Sequence, residues 1–270
     1  MKLIFSHANS FGAGTYHLLF QQLKARGMAV QAIDQFGHDP RYPVTSNWPH
    51  LVQQLIDFAQ PQVQKIGQPM YFVGHSLGGF LSLMAAAQAP QLVRGVVLLD
   101  APILGGWRAT ALGMAKRTQL VGAVSPGKVS RRRRFQWDDE AATLAYFQSK
   151  PAFAQWNPQV LADYITSGTR DAVVNGQTKR VLSFDRDIET AIYNTLPDNL
   201  QAMLQRHPVQ CPVSFIGGTR SSEMKQVGMG MTERITHGRI MLLDGSHLFP
   251  MEKPLATAAA IETALLNMAS

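Results

Sequence analysis

Residues 71–79 read YFVGHSLGG. Met70–Gly74 is a short apolar run, and Leu77–Ala89 has helical spacing that stops at Pro90. Gly74-His75-Ser76-Leu77-Gly78 is therefore a G-x-S-x-G set between a strand and a helix, the context of a nucleophile elbow. Small residues at 74 and 78 permit a sharp turn that leaves the Ser76 hydroxyl exposed. The amides and dipole of the new helix favour negative charge beside it. A Gly-rich turn with an incidental serine is the plain alternative, and the flanking strand and helix weigh against it.

Outward from this turn, strand and helix signals alternate. Lys2–His7, Met28–Phe36, Val93–Leu99, Val213–Gly217 and Arg239–Leu243 read as strands. Thr15–Arg26, Trp48–Ala59 and Leu255–Met268 read as helices. The runs VVLL and VSFIG are apolar throughout, as strands covered on both faces are. This predicts an α/β fold, a mostly parallel open sheet of about six strands flanked by helices. Residues 103–206 break the rhythm with Pro126, Pro151, Pro158, Pro197 and three of the four tryptophans. Such a block is too long for a connection and predicts a mostly helical cap over the C-terminal edge of the sheet. The core is then residues 1–102 and 207–270.

With 270 residues and 46% hydrophobic content the chain can bury a full core. No apolar run approaches the ~20 residues of a membrane span. One cysteine, Cys211, excludes an internal disulfide framework and a Cys-based zinc cluster. The expectation is a soluble, cytoplasmic chain.

A serine hydroxyl needs a base. His247, in LLDGSHLFPMEKP between the last strand and the closing helix, lies at the same sheet edge and is the candidate. His75 sits on the turn itself and points elsewhere.

The chain resembles the α/β-hydrolase superfamily over essentially its whole length, in the capped style of serine esterases. FSHANSFGAGTY, DQFGHDPRYP, GHSLGG and DGSHLFPMEKP carry the resemblance. It implies an acyl-enzyme on Ser76, with the oxyanion held by the amides of Leu77 and of Asn9 or Ser10, no metal and no organic cofactor. The expected partner is a small-molecule ester, with a homodimer as the assembly allowed for. The family's usual acid would fall in GGTRSSEM, where Arg220 stands instead. Asp100, fixed at the end of VVLLDAP, is the favoured acid and Glu223 the alternative. Arg220 then either locks a carboxylate, binds an anionic substrate group or is solvated. Carbon–carbon bond hydrolases, hydroxynitrile lyases and a non-catalytic ligand-binding relative use the same frame. Dehalogenases and epoxide hydrolases attack with aspartate, which Ser76 argues against.

The net charge of +7 concentrates in the middle, and Trp107–Trp137 holds eight basic residues and no acid. The run Arg131–Arg134 has Asp138, Asp139 and Glu140 as candidate partners. A single run followed at once by acids does not make a nucleic-acid site. A solvated cap face is the default, and attraction of acidic substrates the functional reading. Trp137 and Trp156 are candidate walls of an apolar pocket, with cap core as the alternative.

Overall fold

The computed structural model describes residues 1–103 and 127–269. Its first strands are β1 (Lys2–Ser6), β2 (Ala29–Ala32), β3 (Met70–His75) and β4 (Val93–Leu99). Then come β5 (Gln136–Trp137), β6 (Thr169–Val174), β7 (Gln177–Leu182), β8 (Val213–Gly218) and β9 (Ile240–Leu243). One sheet, in the order β2-β1-β3-β4-β8-β9, is parallel throughout, as the apolar runs predict.

Helices α1 (His17–Ala25), α2 (Pro49–Ile66) and α3 (Leu77–Gln88) alternate with the early strands. Between β4 and β8 lie α4 (Gly127–Arg132), α5 (Glu140–Gln148), α6 (Pro158–Gly168), α7 (Arg186–Asn194) and α8 (Leu200–Arg206). The chain closes with α9 (Ser222–Val227), α10 (Gly230–Thr236), α11 (Phe249–Glu252) and α12 (Pro254–Ala269). Among the described residues no helix is long and apolar enough to cross a membrane.

Successive strand residues point to opposite faces, so each strand feeds two cores. Ile4, Phe72, Leu98 and Phe215 pack with Leu51, Leu55 and Leu81 of α2 and α3. Leu3, Phe5, Tyr71, Val73 and Val97 pack with Leu19, Leu23, Ile261 and Leu265 of α1 and α12. The insertion joins both. Trp137, Phe147, Trp156 and Tyr164 extend the α1–α12 side, and Phe184, Ile192, Leu200 and Leu204 the other.

Besides its helices, the insertion contains an antiparallel sheet, β5-β7-β6, which the helical reading did not include. Its hairpin turns at Asn175 (φ 50°) and Gly176 (φ 78°), the left-handed pair that a tight two-residue hairpin requires. Trp107 and much of the basic stretch lie outside the described residues.

The elbow leaves no room for a side chain at either flanking glycine. A Cβ on Gly78 would fall 2.0 Å from the carbonyl oxygen of Ser6, and one on Gly74 would fall 2.1 Å from that of Gly78. Gly78→Ala must push α3 off β1, and we expect it to destabilise the protein by about 3 kcal/mol or more. Urea unfolding checks this, and a loss below about 1 kcal/mol would mean that strand and helix separate freely.

Candidate active site

The turn after β3 holds Ser76 at φ 52°, ψ −115°. Such geometry at a non-glycine residue costs roughly 1–3 kcal/mol and persists where the surroundings impose it. Here the Ser76 N–H donates to the carbonyl of Leu99 at 2.9 Å, and the Ser76 carbonyl accepts from Gly79 at 2.9 Å. Asp100, one residue past β4, is also left-handed (φ 42°), with its N–H on the Ile216 carbonyl at 2.8 Å. Parallel pairing of β3, β4 and β8 thus sets both side chains at one sheet edge.

Asp100 is fully buried and well supplied with donors. Gly218 N–H meets its Oδ1 at 3.0 Å, while the Ser221 hydroxyl and His247 Nδ1 each meet Oδ2 at 2.6 Å. Because a carboxylate only accepts, Nδ1 carries the proton and Nε2 of a neutral His247 is the basic atom. Glu223 approaches the same Nδ1 at 3.7 Å from a more exposed position and accepts from Ser222 Oγ at 2.9 Å. Of the two expected acids, Asp100 is therefore the one hydrogen-bonded to the histidine. Burial disfavours a charged imidazole at His247. The hydrogen bond to Asp100 and the charges of Glu223 and Asp100 outweigh it and hold the pKa above 6.5.

Ser76, His247, Asn9, Ser10, Glu223 and Arg220 line one cavity of about 510 Å³. Leu77 opens α3, and its amide has no partner four residues back, as at any helix start. In the loop after β1, the Ala8 amide is already taken by the Tyr16 hydroxyl at 3.0 Å. Asn9 has no backbone acceptor for its amide among the described residues, and its side chain donates to the Glu189 carbonyl at 3.1 Å.

Sequence reasoning missed what His75 does. Its ring is fully buried, its Nδ1 accepts from Tyr16 Oη at 2.8 Å, and its Nε2–H donates to the His247 carbonyl at 2.9 Å. Burial first, then the neighbouring His247, lowers its pKa to about 3, so the ring is neutral. The loop after β1, the elbow and the histidine loop are thereby joined through two side chains. No local signal pairs Tyr16 with a residue so distant in sequence.

Other expectations meet different neighbours. Trp137 and Trp156 are 1% and 5% exposed and pack with Tyr146, Phe147, Phe153 and Tyr164, behind the cavity wall rather than on it. Trp137 thus packs on Phe147 of α5 and Trp156 on Tyr164 of α6. Arg220 reaches the cavity but is held by Asp244 and by Gln155 Oε1 at 3.1 Å, so it braces the histidine loop, not Asp100. None of the three acids after the arginine run bridges to it. Asp138 pairs with Lys179 at 2.6 Å, Asp139 caps α5 through the Ala142 amide, and Glu140 meets Arg180 at 3.2 Å. The β5–β7 pairing brings those cations closer. Arg133 instead grips Glu189 on α7, 3.0 Å to each carboxylate oxygen.

Asp100, Glu223 and His247 also offer ligand atoms within 4.8 Å of one another, the geometry of a cation site. Both Asp100 oxygens already accept hydrogen bonds, and the imidazole presents its proton to them, which is the arrangement of an oriented base.

The profile of the alpha/beta hydrolase family matches residues 3–260. A serine hydrolase-like protein of Dictyostelium discoideum is 24% identical, over 94% of this chain and 72% of that protein. Rat monoglyceride lipase is 30% identical over 46% of this chain, a match covering 43% of the lipase. Among solved structures, E-2-(acetamidomethylene)succinate hydrolase superposes with a TM-score of 0.70 at 23% identity, covering 98% of this chain and 91% of the other. The thioesterase domain from the curacin biosynthetic pathway gives 0.71 at 18% identity, over 97% and 90%. At these identities the superpositions speak to fold alone.

Proposed function

Because the chain belongs to the alpha/beta hydrolase family, we propose that it is a serine hydrolase that cleaves carboxylic esters through an acyl-enzyme on Ser76. The observation that carries this reading is the 2.6 Å contact between His247 Nδ1 and buried Asp100, made beside a serine on a strained elbow in the same cavity. Ser76 Oγ attacks the acyl carbon, and His247 Nε2 takes its proton and returns it to the leaving alkoxide. Asp100 holds the tautomer and stabilises the imidazolium. The amides of Leu77 and Asn9 receive the oxyanion. Water, deprotonated by the same Nε2, attacks the acyl-enzyme, and Ser76 recovers its proton. The relatives named as serine hydrolase-like protein and monoglyceride lipase support the same class. Residues 103–206 act in this reading as a cap over the ester, and the single cysteine fits a cytoplasmic setting.

A fluorophosphonate probe tests the nucleophile without knowledge of the substrate. Intact-mass analysis should give one adduct on the wild type and none on Ser76→Ala. A folded wild type that stays unlabelled, or an equally labelled Ser76→Ala protein, removes Ser76 from this role.

A further inference from the structure

Among the described residues four cations line the cavity: Arg133, Arg134, Lys150 and Arg220. Arg133 is neutralised by Glu189 and also donates to the Tyr164 hydroxyl at 2.8 Å, and Arg220 is neutralised by Asp244. The other two differ. Among the described residues neither Arg134 nor Lys150 has a carboxylate within ion-pair distance. Asp138 feels Arg134 only at longer range, because Lys179 holds it.

What keeps the two cations in place is aromatic. Lys150 Nζ lies 4.4 Å from the centre of the Tyr146 ring. Arg134 Cζ lies 5.4 Å from the same ring and 5.8 Å from that of Trp137. Arg134 Nε is tied to the Gln136 carbonyl at 2.9 Å, which leaves the outer nitrogens of the fork for another acceptor. Two cations set against one ring keep their charge and their outward donors while their freedom is reduced, a preorganised anion receiver. Beside them the insertion contributes Phe147, Ala152 and Phe153, and of the two acids in the lining Glu189 is held by Arg133 while Glu223 lies beside His247.

We propose that the cavity takes an ester or thioester bearing a fixed anionic group, a carboxylate or a phosphate, which Arg134 and Lys150 receive while the acyl carbon meets Ser76. This rests on the hydrolase reading and names its substrate class. The anion has two sources, the acyl part or the leaving group, and two matched substrate pairs separate them. The mono-p-nitrophenyl ester of glutarate against p-nitrophenyl pentanoate tests the acyl side. The acetyl thioester of phosphopantetheine against that of pantetheine tests the leaving side. We expect kcat/KM to favour the charged member of one pair by about tenfold at low salt, with the preference shrinking as ionic strength rises. In the double variant Arg134→Gln, Lys150→Gln the ratio should fall close to one. Neutral esters turned over with no preference in either pair, or a preference that survives the double variant, overturns the proposal.

Equilibrium binding keeps the two claims apart. Calorimetry on Ser76→Ala protein, with glutarate and with inorganic phosphate, needs no turnover. Binding of either anion that the double variant abolishes supports the receiver even if no ester is cleaved, an outcome that removes only the hydrolase reading. Absence of binding and of charge preference together overturns the receiver whatever the esters do.

Discussion

Asp100→Asn should lower kcat for an activated ester by about 10⁴-fold, the loss seen when the orienting carboxylate of a serine triad becomes an amide. The cause lies in the donor count. Asp100 accepts from Gly218, Ser221 and His247, three donors on two oxygens. An asparagine has one acceptor oxygen and turns an NH₂ toward at least one of those donors. Either His247 flips to the wrong tautomer or a buried donor loses its partner. Glu223→Gln removes a half-exposed charge 3.7 Å from the ring. An interaction of that kind changes turnover by no more than about fivefold. Since Glu223 helps to raise the His247 pKa, its removal should also move the acid limb of the pH profile downward. That limb rises with pH, because the base must be neutral. If the steep loss follows Glu223→Gln and spares Asp100→Asn, the acid is Glu223.

Acid should unfold this protein earlier than its carboxylates alone would. His7 and His75 are fully buried and neutral, with pKa values lowered to about 4 and about 3, chiefly by burial. His7 Nε2 accepts from the Phe36 amide at 3.0 Å, a bond that a protonated ring cannot keep. In the unfolded chain both rings titrate near 6.5. As pH falls below that value the unfolded state takes up protons that the folded state refuses, and stability drops. Each ring contributes up to about 1.4 kcal/mol per pH unit, so the two together remove about 4 kcal/mol between pH 7.5 and 5.0. His247 has the opposite sign: its raised pKa stabilises fully below 6.5 and fades as pH rises through the raised value, so what it gains between pH 7.5 and 6.5 offsets part of this loss. Urea unfolding at the two pH values checks the sum. A difference under about 1 kcal/mol would mean that the folded state protonates these rings with little penalty.

Much of the frame was legible because its signals are local. Six apolar runs gave the six strands of the parallel sheet, and Gly74 and Gly78 flanked Ser76 just where the close approach of β1 and α3 demands them. The carboxylate that pairs with His247 was legible as a choice between two, since position at a strand end is local but distance to His247 is not. The hairpin of β6 and β7 did leave a signal, Asn175-Gly176 between two β-branched stretches, which the proline punctuation of the insertion outweighed. Aromatic content does not tell a cavity wall from a core, so Trp137 and Trp156 had no resolvable place. The partners of the arginine run depended on β5 lying beside β7, a pairing that brings Lys179 and Arg180 to the acids first.

The chain of bonds from Ala8 through Tyr16 and His75 to His247 has a consequence for descent. An amide stands at one end and a carbonyl at the other, so every group between has its donor or acceptor role dictated. Phenylalanine at 16 orphans two buried groups at once, and an apolar residue at 75 strands a hydroxyl and a carbonyl. A lineage that makes either apolar change meets a sequence in which buried groups have lost their partners. Apolar replacements at Tyr16 and His75 are thus penalised through the same bonds, although 59 positions separate them.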